Sequence, residues 1–175
     1  MSASEKTSVT LRRLNSVDHG DFAALQSVIE GAPAYWLKVS GELPTANAAR
    51  ETFEALPPGK TYDDKFVFGI YFGTEIIGCV DLIDGFPNSS TAMLGLLLLR
   101  ESHQKQGLGK QAYHAVEQFI AGRPHLTAVR IGVIATNEIA FPFWRSLGFV
   151  ENGIRSPYNE GSIVSENIVL EKSIN

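Results

Sequence analysis

The chain has 175 residues, 44% of them hydrophobic and 19% charged, which is typical of one globular domain with a real core. Its net charge of −4 argues against nucleic-acid binding, and its single cysteine, Cys79, excludes an intrachain disulfide. The longest apolar run, AMLGLLLL, is too short to span a bilayer, and charged residues interrupt the N-terminus. We therefore expect a cytoplasmic protein without a membrane contact.

The first part of the chain predicts one strand and two helices. Residues 1–6 are expected to form a loose tail, and the weak alternation in SVTLRRL indicates a first strand. A first helix is predicted in SVDHGDFAALQSVIEGAP, capped by Ser16 and ended by Gly31 and Pro33. A second is predicted in TANAARETFEAL, and the aromatic segment between them, AYWLKVSGELP, is expected to be irregular.

The rest of the chain predicts a hairpin, a central strand and one parallel crossover. KFVFGIYFG and EIIGCVDLI are rich in aromatic and β-branched residues and are separated by a short turn, which favours a hairpin. TAMLGLLLL is apolar on both faces, as central strands are. An amphipathic helix after Gly109, a strand over 126–134, a short helix in NEIAFPFWRSLGF and two closing strands complete the order.

Two glycines, Gly107 and Gly109, stand at the start of the amphipathic helix. The first turn of a helix carries N–H groups without intrahelical acceptors, so bare backbone there favours a phosphate. The mononucleotide phosphate loop does not fit, because Gln104 and Gln111 replace residues that it needs. GLGKQA matches the dinucleotide motif only as text, since RESHQKQ separates it from the preceding strand.

The pattern of Gln104, Gly107 and Gly109 resembles the pyrophosphate loop of the GCN5-related N-acetyltransferases. NEIAFPFWRSLGF is similar to a second segment of that family, and the two motifs together cover residues 93–149. The resemblance implies a mixed α/β fold in a single domain over residues 1–175. Its mostly antiparallel sheet of six or seven strands would splay between strands four and five, with about four helices around it.

The resemblance also implies that acetyl-CoA is the acetyl donor. The backbone of Leu97, Leu98 and Leu99 would pair with the pantetheine arm, as an added strand does. Asn137 and Trp144 would lie beside the arm, although Asn137 is equally suited to capping the next helix. No metal is expected. The pyrophosphate would be held around the loop and helix start, by Gln104, Lys105, Gln106, Gly107, Leu108, Gly109 and Lys110.

The implied reaction is direct attack of an amine on the thioester. Many family members protonate the leaving thiolate with a tyrosine and some use a glutamate base, but the matching positions here hold Trp144 and Met93. Asp81, on the neighbouring strand, is the candidate base, acting through water; the alternative is a carboxylate that merely faces solvent. Tyr113 and Tyr158 are weaker candidates for proton transfer.

The resemblance implies that the first two helices and their connection form part of the acceptor wall, where Tyr35 and Trp36 offer aromatic rings that suit a cationic amine. The alternative is that both rings pack into the core. The acceptor would be a small-molecule or peptide amine whose identity the sequence leaves open, and a homodimer paired through the last strand is compatible with the family.

Three functions remain open at this point. The first is an N-acetyltransferase. The second is a CoA-binding sensor without turnover, which the missing tyrosine and glutamate keep in contention. The third is a structural or partner-binding domain that uses the glycine turn without a nucleotide.

Overall fold

The structure is a computed structural model that describes residues 8–174, so the predicted tail lies outside the described residues. Within that range no helix is both long and apolar enough to cross a lipid bilayer. The elements in chain order are β1 (Val9–Arg13), α1 (His19–Glu30), α2 (Pro33–Val39), α3 (Ala48–Glu54), β2 (Lys65–Phe72), β3 (Glu75–Ile83), β4 (Thr91–Leu99), α4 (Leu108–Ala121), β5 (Ala128–Ile134), α5 (Ala140–Ser146), β6 (Val150–Glu160) and β7 (Ile163–Ser173), with short 3-10 helices at Tyr62–Asp64 and Glu101–His103.

One seven-stranded sheet organises the protein, in the order β1-β2-β3-β4-β5-β7-β6. Its neighbours are antiparallel except β4 and β5, which α4 connects in a parallel crossover. Only Thr91–Met93 of β4 pairs with β5, at Ala128–Arg130, and the two strands separate beyond that point. The predicted mixed sheet with a splay between its fourth and fifth strands is confirmed.

Helices cover both faces of the sheet and divide the core in two. On one face α4 contributes its predicted apolar stripe, including Ala112 and Val116, to a core that it shares with α5 and with side chains of β2, β4 and β5. On the other face α1 and α3 pack over β2, β3 and the end of β4. Cys79 lies in this second core with no exposed surface, and burial raises the pKa of its thiol to about 12.

The segment that the sequence predicts as irregular forms α2, one of five α-helices within residues 8–174. Gly31 ends α1, and Pro33 begins α2 instead of stopping α1. Proline suits the first position of a helix because its fixed φ and missing N–H cost nothing there. The predicted Ser16 cap is also wrong, since Asp18 caps α1 by accepting the Asp21 backbone N–H at 2.8 Å.

The last strand is not the edge of the sheet. β7 lies between β5 and β6, and over Asn167–Glu171 it pairs with both, so that stretch of its backbone has no free side for a second chain. The expectation of pairing through the last strand is therefore wrong, and the exposed edge at this end belongs to β6.

Candidate active site

A groove of about 590 Å³ occupies the gap where β4 and β5 separate. Its sides are residues 94–99 of β4 and 131–134 of β5. The start of α4 and the Phe143–Trp144 pair of α5 line it on one face of the sheet, and Ala34, Tyr35, Lys38 and Val39 of α2 line it on the other. Because its lining comes from both faces, the groove runs through the sheet.

A β-bulge at Gly95 accompanies the separation of the two strands. Leu82 pairs with Leu94 and Asp81 with Leu96, so Gly95 is an extra residue on β4. A bulge bends its strand and increases the local twist. The free half of β4 therefore diverges from β5 two residues after their last pair at Met93.

The loop before α4 points a run of backbone donors toward the groove. Lys105 and Gly107 have left-handed φ angles of 59° and 78°. The Gln104 side chain donates to the Leu99 carbonyl at 2.9 Å and ties the loop to β4. Within residues 8–174 no acceptor takes the N–H groups of 105–110, and the first helical bond runs from Gln111 to Gly107. We call these six groups the N–H run.

The side chains of the loop divide into two groups. Of the predicted residues, Gln106 donates to the Ser102 carbonyl at 2.9 Å and Leu108 is buried in the core, so these two offer the groove only their backbone. A Cβ at Gly109 would lie 3.3 Å from the Phe143 ring, so this glycine allows α4 to pack close to α5. The other predicted loop residues line the groove: Gln104, Lys105, Gly107, Gly109 and Lys110.

The second motif forms the wall facing this loop. Asn137 lines the groove, and its alternative role as a helix cap is excluded because Ile139 is the N-cap of α5, with no side-chain cap bond. Trp144 also lines the groove but is only 8% exposed. Its ring packs edge-on against Phe143 and Phe149, with centroids 4.9 Å and 5.2 Å away.

The lining of the groove includes neither Met93 nor the two tyrosines that are weaker candidates for proton transfer. Met93 belongs to the paired end of β4, and the residues of β4 that line the groove are leucines and one glycine, which do not ionise. Tyr113 is fully buried behind Trp144, and its hydroxyl contacts Glu117. Burial also raises the pKa of Tyr113 above that of an ordinary phenol. The Tyr158 hydroxyl donates to the Val39 carbonyl at 2.8 Å.

Asp81 forms a buried ion pair with Lys65, which the sequence did not indicate. Its Oδ1 accepts from the Lys65 ammonium at 2.7 Å, and that ammonium also donates to the Ala55 carbonyl. The side chains are 15% and 3% exposed. Desolvation raises the pKa of Asp81, and Lys65 opposes the rise. Its Oδ2 lies 3.6 Å from where a Cβ of Gly95 would stand, so this oxygen faces the edge of the groove.

The two predicted acceptor-wall residues separate in the structure. Tyr35 lines the groove, and burial raises its pKa to about 12, which keeps the phenol neutral and able to donate. Trp36 turns into the core of α1 and α3, where its indole N–H donates to the Ile29 carbonyl at 2.9 Å. The structure therefore does not bring Trp36 to the groove.

Contacts between α2 and the C-terminal half close one side of the groove. The Thr136 hydroxyl donates to the Lys38 carbonyl at 2.6 Å, and the Ser162 N–H donates to the Ser40 carbonyl at 3.0 Å. Sequence reasoning expected Tyr35 in the acceptor wall but missed these contacts, because it predicted irregular structure where α2 forms. The available signal was Pro33 directly before an apolar, aromatic segment.

Comparison with known proteins agrees with this architecture. Residues 33–149 match the profile of the Acetyltransferase (GNAT) family, which is more than half of the chain. The crystal structure of an acetyltransferase from Thermus thermophilus shares 29% identity at a TM-score of 0.68, over 94% of this chain and 97% of that one.

Two further structures share the fold at lower identity. A Salmonella typhimurium acetyltransferase that modifies the N-terminal serine of ribosomal protein L7/L12 gives 18% identity and a TM-score of 0.74, over 97% of this chain and 96% of that one. The structure of AAC(6')-Ib in complex with ribostamycin and coenzyme A shares 18% identity at a TM-score of 0.72, over 95% of this chain and 93% of that one.

The fold, the groove and these matches define an acyltransferase. The chain belongs to the GNAT acetyltransferase family, so the resemblance of its two motifs is confirmed.

Proposed function

We propose that this protein transfers an acetyl group from acetyl-CoA to the amine of a small molecule or peptide. The N–H run at residues 105–110 carries the proposal, because it offers unpaired donors at the positive end of the α4 dipole. A pyrophosphate supplies the matching negative charge. Lys105 and Lys110, which line the same part of the groove, add two positive charges.

The rest of the donor molecule fits the divergence of β4 from β5. Among the described residues no strand pairs with the β4 edge that faces β5 beyond Met93, so Leu97, Leu98 and Leu99 can pair with the amides of the pantetheine arm. Asn137 and Trp144 form the opposite wall. Gln104 positions the loop through Leu99 rather than binding the ligand itself.

The acceptor binds on the α2 side of the gap, where Tyr35 lines the groove and the Oδ2 of Asp81 lies beside Gly95. Bound acetyl-CoA supplies a thioester carbonyl, which a free N–H of β4 polarises as an oxyanion donor does. Asp81 accepts the amine proton through a water molecule. Trp144 holds no usable acid, and none is required, because a thiol of ordinary pKa near 8.5 leaves readily as thiolate at neutral pH.

Coenzyme A binding and thiol release test the proposal in two stages. Coenzyme A at a hundred times its Kd should raise the melting temperature by roughly 5–10 °C, since it adds about 2.7 kcal/mol to a domain of this size. Pantethine, which lacks the pyrophosphate, should not. Absence of stabilisation at millimolar coenzyme A would rule out the donor site.

Acetyl-CoA should then release thiol in the presence of a reactive amine. The panel should include ribostamycin and a peptide with an N-terminal serine, because structural neighbours act on or bind such molecules. Binding without thiol release across a broad panel would contradict the transferase and leave the CoA-binding module.

A further inference from the structure

Two positions on the α2 side of the gap carry no side chain because they are glycines. Gly95 on β4 and Gly132 on β5 both line the groove and are exposed. The neighbours of Gly132, Ile131 and Val133, are buried in the core under α4, so Gly132 faces the opposite side. Gly95 shares its bulge with Leu96, which packs on the core of α1 and α3. Both glycines therefore face α2.

A polar side chain stands beside each glycine. Asp81 of β3 lies next to Gly95, with Oδ2 facing it. Asn167 of β7 covers Gly132: a Cβ there would lie 3.1 Å from both Cγ and Nδ2 of Asn167, and closer still to Oδ1. Since the strand order is β3-β4-β5-β7, the carboxylate and the amide flank the two bare glycines from either side.

The contacts of the Asn167 side chain do not give it a role in holding the fold. The residue is half-buried and pairs through its backbone with Ile134 and Ser156. Within the described part of the chain, its side chain makes no hydrogen bond, and neither polar atom is sealed from solvent. A partly desolvated amide with an unused donor and acceptor gains free energy when a ligand supplies both partners.

We propose that Asn167 binds the acceptor beside its reacting nitrogen and thereby selects the substrate class. The acceptor is an amine that carries a carbonyl, amide or hydroxyl group on the neighbouring carbon. Asp81 attracts the amine on one side of the two glycines, Gly95 and Gly132. Asn167 pairs with the neutral group on their other side. This inference rests on the proposed function and adds a specificity-determining residue to the same site.

Matched probes test the inference: glycinamide carries the neutral group, and propylamine is a similar amine without it. Asn167→Ala should lower kcat/KM for glycinamide about tenfold, the effect of one hydrogen bond, and for propylamine by less than about twofold. Comparing variant with wild type cancels the different basicities of the probes. Coenzyme A stabilisation should not change. Asn159→Ala, at an exposed position of the same hairpin, is the control and should leave both rates unchanged.

Gly132→Ala supplies a second variant in case Asn167→Ala folds poorly. Its Cβ occupies the place of the Asn167 amide and should displace it. The glycinamide rate should fall as in Asn167→Ala, and the double variant should be no slower than either single one. Additive losses would overturn the inference.

The outcomes separate this inference from the proposed function. Equal losses for both probes in Asn167→Ala indicate a merely structural role and overturn the selection of substrate by Asn167. A wild-type protein that binds acetyl-CoA but acetylates neither probe also overturns it, while the donor site stands. Failure to bind acetyl-CoA removes the proposed function itself.

Discussion

The Lys65–Asp81 pair places a carboxylate inside the sheet with one oxygen held and the other free. Breaking such a buried pair by removing one partner costs about 3–5 kcal/mol, because the remaining charge is left without compensation. Here the held oxygen bonds Lys65 and the free oxygen faces Gly95. An ion pair that served stability alone would not need this open side.

Activity should depend on pH through Asp81. Because desolvation raises its pKa, the carboxylate gains a proton at a higher pH than a surface aspartate does. Only the ionised form accepts a proton, so kcat/KM should fall as the pH drops through this raised pKa. Lys65→Met removes the positive charge that opposes the rise in the Asp81 pKa. It should therefore move the acidic limb of the kcat/KM profile to still higher pH. A limb that stays in place in Lys65→Met would exclude Asp81 as the base.

The same shift has the opposite sign for stability. A folded-state pKa above the unfolded value means that the folded state binds the proton more tightly. The contribution of Asp81 to stability is therefore full below its unfolded pKa and is lost as the pH rises through the raised one.

Asp81→Asn should slow acetyl transfer about a hundredfold, within the usual effect of a general base. This variant leaves the Lys65 charge buried, so part of any loss reflects instability. The double variant Lys65→Met with Asp81→Asn removes both charges. It should regain stability in a denaturant titration and yet transfer acetyl as slowly as Asp81→Asn. Recovery of the rate together with the stability would show that Asp81 has only a structural role.

Trp144 should act by packing and not by proton transfer. Trp144→Phe leaves a smaller ring among Phe143, Phe149 and Tyr113 and should cost about 1–2 kcal/mol of unfolding free energy. A lost general acid slows a reaction by about 10²–10⁴, whereas we expect kcat/KM to change by less than about threefold. Thiol-release rates and denaturant curves measured on the same preparation check both expectations. A collapse of the rate at unchanged stability would contradict this interpretation.

At the scale of elements, the start of α4 is built from a strained loop and an open first turn. Lys105 takes a left-handed φ without being glycine, which costs of the order of 1 kcal/mol and persists where the surroundings impose it. The Gln104 bond to Leu99 is one such constraint, because it joins the loop to β4. The N–H run is therefore oriented before any ligand arrives.

Gly107 and Gly59 form a matched pair that tests this element. Their φ angles are 78° and 80°, and a Cβ at either position would meet no atom within 4 Å. Alanine should cost each about 1–2 kcal/mol of stability, since only the backbone conformation is at stake. Gly107→Ala alone should also raise the Kd for coenzyme A about tenfold or more, which corresponds to about 1.4 kcal/mol. Equal affinities in the two variants, measured by calorimetry, would place the pyrophosphate elsewhere.

At the scale of the whole molecule, the groove and the core share the same strands. Cys79 lies on β3, beside the bulged β4, with no exposed surface. Reaction of its thiol therefore requires the strands around it to open. Any ligand that binds only the closed protein must oppose that opening by mass action.

Alkylation of Cys79 should report this coupling. Iodoacetamide should label the native protein slowly, and acetyl-CoA at a hundred times its Kd should slow labelling about a hundredfold when opening is in fast equilibrium. Mass spectrometry of the intact protein measures the adduct without interference from the thiol of free coenzyme A. Rapid labelling that acetyl-CoA does not affect would show that β3 opens independently of the groove.

The sequence by itself determined the features that depend on neighbours along the chain. The apolar stripe of α4, the central strand at 91–99 and the loop of Gln104, Gly107 and Gly109 are local patterns, because periodicity and allowed φ angles act over a few residues. These local patterns were sufficient to predict the mixed sheet, the separation of its fourth and fifth strands, and the family. They also placed the predicted loop residues around the groove, except that Gln106 and Leu108 turn their side chains away.

Tertiary structure decided the features that depend on strand register and on packing between distant segments. Pro33 suits the end of one helix as well as the start of the next, and only packing against the core resolves it as the start of α2. Lys65 meets Asp81, and Asn167 meets Gly132, through the alignment of neighbouring strands. The bulge at Gly95 shifts that alignment by one residue and so chooses which side chains face the gap. No local pattern carries that choice, because it is made by contacts between residues far apart in the chain.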